Sequence, residues 1–158
     1  MADHPKAAVA YFDGAIRPLA DAKVSVMTHA FLYGTATFEG IRAYWNPEQE
    51  ELYVLKLDQH LERLRASSRI LMMDPLPEVP ALHAIIVELL RQNGYREDVY
   101  IRPSVYKSTE AIGVRLHDLK NDLYVIATPF GNYIDVDSGI RCATVATRRT
   151  TDLAIPAR

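Results

Sequence analysis

Cysteine occurs once, at Cys142, so no intramolecular disulfide can form and a reducing compartment is expected. No apolar run is long enough for a membrane span. The opening MADHPKAAVAYFDG lacks the apolar core of a secretion signal. Neither sign of charge dominates: a formal net charge of −2 over 158 residues gives no global basic field for nucleic acid or acidic lipid, though a local anion site stays open. His29, His60, His83 and His117 stand far apart without paired-ligand spacing, which argues against a metal centre. No GxSxG turn offers a serine nucleophile, and no P-loop or GxGxxG offers a phosphate cradle. The lysines Lys6, Lys23, Lys56, Lys107 and Lys120 sit in no distinctive local pattern. These absences leave the expectation of a cytoplasmic protein whose chemistry is spread along the chain.

What is present is an ordinary globular mixture, 49% apolar and 24% charged, of a length suited to one domain or a little more. Ala7 to Pro18 reads as a hairpin around Asp13-Gly14, a dipeptide suited to positive φ. Thr28 can cap a short helical turn over His29–Tyr33. Phe38 to Trp45 and Glu51 to Leu55 read as strands joined by a turn at Asn46-Pro47. Leu57, Leu61, Leu64, Ser68 and Leu71 then follow helical spacing, with Arg65 and Arg69 on the solvated side. A second helix runs from near Pro80 to a stop at Asn93-Gly94. Val99 to Tyr106, Leu123 to Thr128 and Ile140 to Thr147 are further strands, and Pro103 favours an edge or a bulge in the first of them. The pattern predicts an α+β fold on an antiparallel sheet. A small domain spans residues 1–130, a linker 131–139, and residues 140–158 begin a second domain.

The segment HAFLYGTATFEGIRAY, residues 29–44, combines a bare backbone with polar and aromatic side chains. Gly34 and Gly40 let the backbone approach a neighbour without a Cβ between them. Phe38 and Tyr33 can be pocket walls or ordinary core aromatics. Tyr100 and Arg102 in YIRP lie two apart, so on a strand they share a face, an unusual pairing for a core.

Taken in order, YGTATFEGIR, HLERL, YIRP, FGNY and RRTTDLAIPAR resemble the branched-chain amino acid aminotransferases, in the fold-type-IV class of pyridoxal-phosphate enzymes. The resemblance covers nearly the whole chain. It implies transfer of an amino group from Leu, Ile or Val to 2-oxoglutarate through pyridoxal 5'-phosphate held between two domains. It places Arg63 on the cofactor phosphate, a role that a guanidinium fork suits. The bland alternative for Arg63 is a helical pair with Asp58 or Glu62. By the same resemblance Phe38 and Gly40 line the substrate pocket and Arg42 stands at its rim. Tyr100 meets the α-carboxylate, and Arg102 receives the side-chain carboxylate of glutamate or 2-oxoglutarate with Tyr133 assisting. Tyr33 and the loop Ile112, Gly113, Val114 reach a neighbouring subunit's pocket, implying a homodimer or a multiple of it. The bland alternatives are a cross-strand salt bridge for Tyr100 and Arg102, and a plain surface loop for 112–114.

The lysine that carries the cofactor follows, in that family, the segment like TTDLAIPAR. None of the lysines here matches it, so no catalytic residue is assigned and the 158-residue chain alone is expected to be inactive. The rivals are a D-amino-acid transaminase, an aminodeoxychorismate lyase, or a non-enzymatic dimerisation or binding fragment. The paired Tyr100 and Arg102 favour the branched-chain reading.

Overall fold

The computed structural model describes residues 8–131 and 138–146. The chain opens with strands β1 (Val9–Phe12) and β2 (Ala15–Pro18), then helix α1 (His29–Tyr33). Strands β3 (Ala36–Phe38), β4 (Ile41–Asn46) and β5 (Glu51–Val54) follow. Helices α2 (Leu57–Ile70) and α3 (Val79–Asn93) precede the two long strands β6 (Val99–Lys107) and β7 (Asn121–Pro129). This is the antiparallel α+β architecture that the alternating patterns predict. Asp13 and Gly14 both take positive φ, 51° and 75°, so the two-residue loop turns tightly between paired Phe12 and Ala15. Thr28 stands before α1, but its side chain makes no capping hydrogen bond; its backbone carbonyl accepts from Phe31 and Leu32 instead.

The strands form one sheet in the order β2-β1-β7-β6-β4-β5, with β3 also paired to β6. Both β3 and β4 lie along the same side of β6, and their registers agree: Phe38 faces Ser104 and Ile41 faces Ile101. They are one strand line with an interruption at Glu39 and Gly40. Pro103 explains the interruption. Its carbonyl accepts the Glu39 N–H at 3.1 Å, but its imide nitrogen has no proton to return. Pro103 therefore lies inside a central strand, not at an edge or in a bulge, with its missing donor turned to the gap between β3 and β4.

Side chains alternate across this sheet. Ile41, Ala43, Val99, Ile101, Val105, Val125 and Ala127 face the helices, meeting Leu57, Leu61, Leu64, Leu82, Ile86 and Leu89 in one buried cluster. Each fully buried large apolar side chain of this kind contributes about 1.5–3 kcal/mol. Helix α3 ends where Gly94 adopts φ 63°, as Asn93-Gly94 predicts. Arg65 departs from expectation. It is not solvated: its side chain is 12% exposed and donates to the Pro77 carbonyl at 2.9 Å and to Glu78 at 2.8 Å, tying α2 to the approach of α3. Residues 140–146, expected within a strand, carry no ladder here, because nothing among the described residues pairs with them. Ile140 and Val145 are exposed, as is the free Cys142. No helix among the described residues is long and apolar enough to cross a membrane.

Candidate functional site

The sheet face opposite the helices collects most of the predicted site. Phe38, Gly40 and Arg42 lie on the β3–β4 line, and Tyr100 and Arg102 are their neighbours on β6; Arg42 and Tyr100 pair directly. Arg102 Nε donates to the Tyr100 hydroxyl at 3.1 Å. The Arg102 guanidinium lies 4.4 Å from the Phe38 ring centre and 5.4 Å from that of Tyr100, a stacked cation between two aromatics. The side chain thus makes a hydrogen bond and two ring contacts in place of a cross-strand salt bridge. Phe38 is 57% exposed, so it is no core aromatic. Gly40 is bare because of Tyr100. A Cβ at Gly40 would stand 2.9 Å from the phenol oxygen and 3.1 Å from a ring carbon.

Arg42 sits at the margin of this face. Its Nη2 lies 3.5 Å from Asp98 and its Nη1 donates to the Gly131 carbonyl at 3.3 Å. It also stacks against Tyr44 and Phe130. Phe130 in turn packs on Tyr100 with ring centres 5.5 Å apart. The chain's exit from β7 is therefore linked to the tyrosine at the centre of the face.

Arg63 belongs to the helix layer. Its partner is neither Asp58, which binds His83, nor Glu62, but Glu39. Nε and Nη2 bind the two carboxylate oxygens at 2.7 and 2.5 Å, and His60 Nδ1 adds a third contact at 2.8 Å. Glu39 is buried. Burial pushes its carboxyl up, but the hydrogen bonds and charges of Arg63 and His60 outweigh that and hold it below the ordinary range. The Arg63 side chain remains 60% exposed, so donors not spent on Glu39 face outward. That outward fork suits a phosphate monoester, and Arg63 is the group among these residues that could hold one.

A second cluster gathers Tyr33 and the loop 112–114. The Gly113 N–H donates to the Tyr33 hydroxyl at 3.0 Å, and His29 Nε2 lies 2.7 Å from the Gly113 carbonyl. A carbonyl only accepts, so Nε2 carries the proton. His29 Nδ1 contacts Thr35 Oγ1 at 2.8 Å, and the imidazole is 1% exposed. His29 is the residue that sequence reasoning passes over except as a metal ligand. The available signal is its i, i+4 spacing to Tyr33, which brings the two rings to 4.7 Å at a tilt of 43°. Phe31, Ile112 and Val114 stay exposed around the cluster. Tyr133 lies outside the described residues.

Lys107 is 1% exposed, and its ammonium donates to the Met72 carbonyl at 2.6 Å, just past the end of α2. Burial lowers its pKa. It ties β6 to the turn that follows α2. No group of three potential metal ligands occurs among the described residues.

Comparison with known proteins agrees with this fold. Residues 36–156 match the family amino-transferase class IV. A probable branched-chain-amino-acid aminotransferase of Aquifex aeolicus (strain VF5) is 44% identical over 149 residues, covering 94% of this chain and 48% of the relative. The branched-chain-amino-acid aminotransferase of Pseudomonas aeruginosa is 31% identical, covering 86% of this chain and 44% of the relative. Among solved structures, the branched-chain aminotransferase of Thermoproteus uzoniensis with norvaline superposes with a TM-score of 0.86 at 39% identity, covering 94% of this chain and 49% of that one. A second solved branched-chain amino acid aminotransferase, complexed with N-(5'-phosphopyridoxyl)-L-glutamate, gives a TM-score of 0.72 at 35% identity, covering 79% and 41%. The chain spans about half the length of these relatives.

Proposed function

The chain belongs to the class IV amino-transferases, and from that premise we propose that it forms the small-domain half of an enzyme moving the amino group of Leu, Ile or Val to 2-oxoglutarate. The observation that carries this reading is the Phe38, Tyr100, Arg102 array on one sheet face. One pocket must accept an apolar side chain and, in the other half-reaction, an acidic one. Phe38 supplies apolar wall for the first. Arg102, held on that same ring and by the Tyr100 hydroxyl, supplies a single cation for the second. Tyr100 accepts from Arg102 through a lone pair, so its own O–H remains available to donate to a substrate carboxylate. Arg42 belongs to the rim, and Tyr133 would assist Arg102.

Pyridoxal phosphate, when bound, would supply the electron sink that transamination requires. Arg63 would hold its phosphate. One of the similar solved enzymes was crystallised with such a group in two structures, one with pyridoxamine 5'-phosphate and one with a phosphopyridoxyl glutamate. None of Lys6, Lys23, Lys56, Lys107 and Lys120 is assigned the proton-moving role, since none matches the family position, and Lys107 is buried and committed to Met72. The chain by itself is then expected to lack turnover. Residues 1–130 act as the small domain, 131–139 as a linker and 140–158 as the entry to the cofactor domain. Tyr33 with Ile112, Gly113 and Val114 would cover the pocket of a second copy in a homodimer in the cytoplasm. The exposed Phe31, Ile112 and Val114 suit such a contact.

A donor panel on the enzyme containing these residues tests the reading. Leu, Ile and Val should outpace D-alanine with 2-oxoglutarate as acceptor. Preference for D-alanine, or release of pyruvate from aminodeoxychorismate, would replace it with one of the sibling activities.

A further inference from the structure

Two residues of α2 one turn apart, His60 and Arg63, converge on one carboxylate that arrives from the strand line. Glu39 Oε1 receives Arg63 Nε at 2.7 Å, and Oε2 receives both Arg63 Nη2 at 2.5 Å and His60 Nδ1 at 2.8 Å. His60 Nδ1 is a donor here, because an ionised carboxylate has no proton to give. The 3.3 Å separation of Arg63 Nη2 from His60 Nδ1 is then two donors meeting at a shared acceptor. Glu39 is 6% exposed while the arginine side chain is 60% exposed. A guanidinium fixed along its Nε–Nη2 edge cannot swing freely, and its other N–H groups project outward in one direction. Glu39 also lies between Phe38 and Gly40, whose positions belong to the opposite face. The gap that Pro103 leaves in the ladder is where this carboxylate turns inward. One three-residue stretch thus sets both the pocket wall and the aim of the cation.

We infer that Glu39 is a positioning residue that aims Arg63 at the cofactor phosphate, with His60 as a second support. This rests on the assignment of Arg63 to that phosphate. A carboxylate beside an anion-binding arginine can act in the opposite sense, neutralising the cation and weakening the anion. The two roles separate experimentally.

In the whole enzyme, the dissociation constant of pyridoxal phosphate is measured by equilibrium dialysis for wild type, Glu39→Gln, Arg63→Ala and the double variant. Melting of each variant without cofactor reports on the fold. Positioning predicts that Glu39→Gln weakens retention about tenfold, the scale of one charge-assisted hydrogen bond. The double variant should be no weaker than Arg63→Ala, because Glu39 acts only through Arg63. Should Glu39→Gln not fold, His60→Ala removes the second support from a side chain 22% exposed and should weaken retention several-fold. Unchanged or tighter binding in Glu39→Gln, or in His60→Ala where that variant stands in, with weaker binding in Arg63→Ala, overturns the positioning role and leaves the arginine's role standing. Unchanged binding in Arg63→Ala overturns both.

Discussion

The phenol oxygen of Tyr100 lies 2.9 Å from where a Cβ on Gly40 would stand, so the glycine is the space that the tyrosine occupies. Gly40→Ala should force Tyr100 aside and stretch its hydrogen bond from Arg102. Overpacking of this kind costs about 1–3 kcal/mol, readable as a lowered denaturation midpoint. Tyr100→Phe in the same chain removes the nearest atom and should recover part of the loss. A Gly40→Ala protein of wild-type stability, or one that Tyr100→Phe does not help, would show that the strand line yields instead.

Arg102 makes its contacts with Tyr100 and Phe38 and, among the described residues, is not paired with an acid across the strands. In the whole enzyme, Arg102→Leu should raise KM for 2-oxoglutarate far more than KM for leucine. Losing one charge-assisted contact in a pocket costs on the order of 1.5–3 kcal/mol, roughly ten- to a hundredfold. Equal losses for both substrates would make Arg102 a structural residue.

Much of the fold is legible in local chemistry. Asp13-Gly14 specifies its own turn, and the leucine spacing of α2 specifies its buried stripe, because both signals lie within a few residues of each other. The same-face placement of Tyr100 and Arg102 also follows from strand alternation alone. Pairing between distant segments is what local chemistry does not carry. Nothing near Arg63 points to Glu39, 24 positions away, since that contact exists only once α2 lies over the β3–β4 gap. Pro103 reads as an edge residue because a lost donor is usually turned to solvent. Here it is turned to a break in the neighbouring strand line. Arg65 reads as solvated because its partners, Pro77 and Glu78, come from the next helix's approach.

Acid titration should expose the Glu39 cluster. Burial raises the carboxyl's pKa, but Arg63 and His60 together bring it below the ordinary value. Unfolded, the group titrates at about 4.3. Below that value the unfolded chain takes up the proton first, so stability falls as pH drops toward the folded pKa; above it the contribution is fully present. The stability difference between wild type and Glu39→Gln should therefore be largest near neutrality and shrink once pH passes below about 4. Denaturant midpoints measured from neutral pH down through this window check it. Parallel curves would mean the cluster does not stabilise the ionised form.

His29 and Tyr33 grip the two peptide units that flank the Gly113 Cα, one each. Its Nε2–H goes to the Gly113 carbonyl, while the Gly113 N–H goes to the Tyr33 hydroxyl. Thr35 Oγ1 lies 2.8 Å from Nδ1, so the ring bonds two separate segments, the 112–114 loop and the residue before β3. His29→Ala would leave a buried hydroxyl unpaired and a void behind it, a cost on the order of 2–4 kcal/mol. Tyr33→Phe loses a single partly exposed bond, and its cost should stay at about 1 kcal/mol. Stability alone cannot tell a clamp on the loop from an ordinary buried histidine. Amide exchange can, because the clamp predicts faster exchange at Gly113 in both variants, with no comparable change at Leu123 or Val125 in the sheet centre for Tyr33→Phe. If Gly113 exchanges at the wild-type rate in His29→Ala, the loop is held by something other than these two rings.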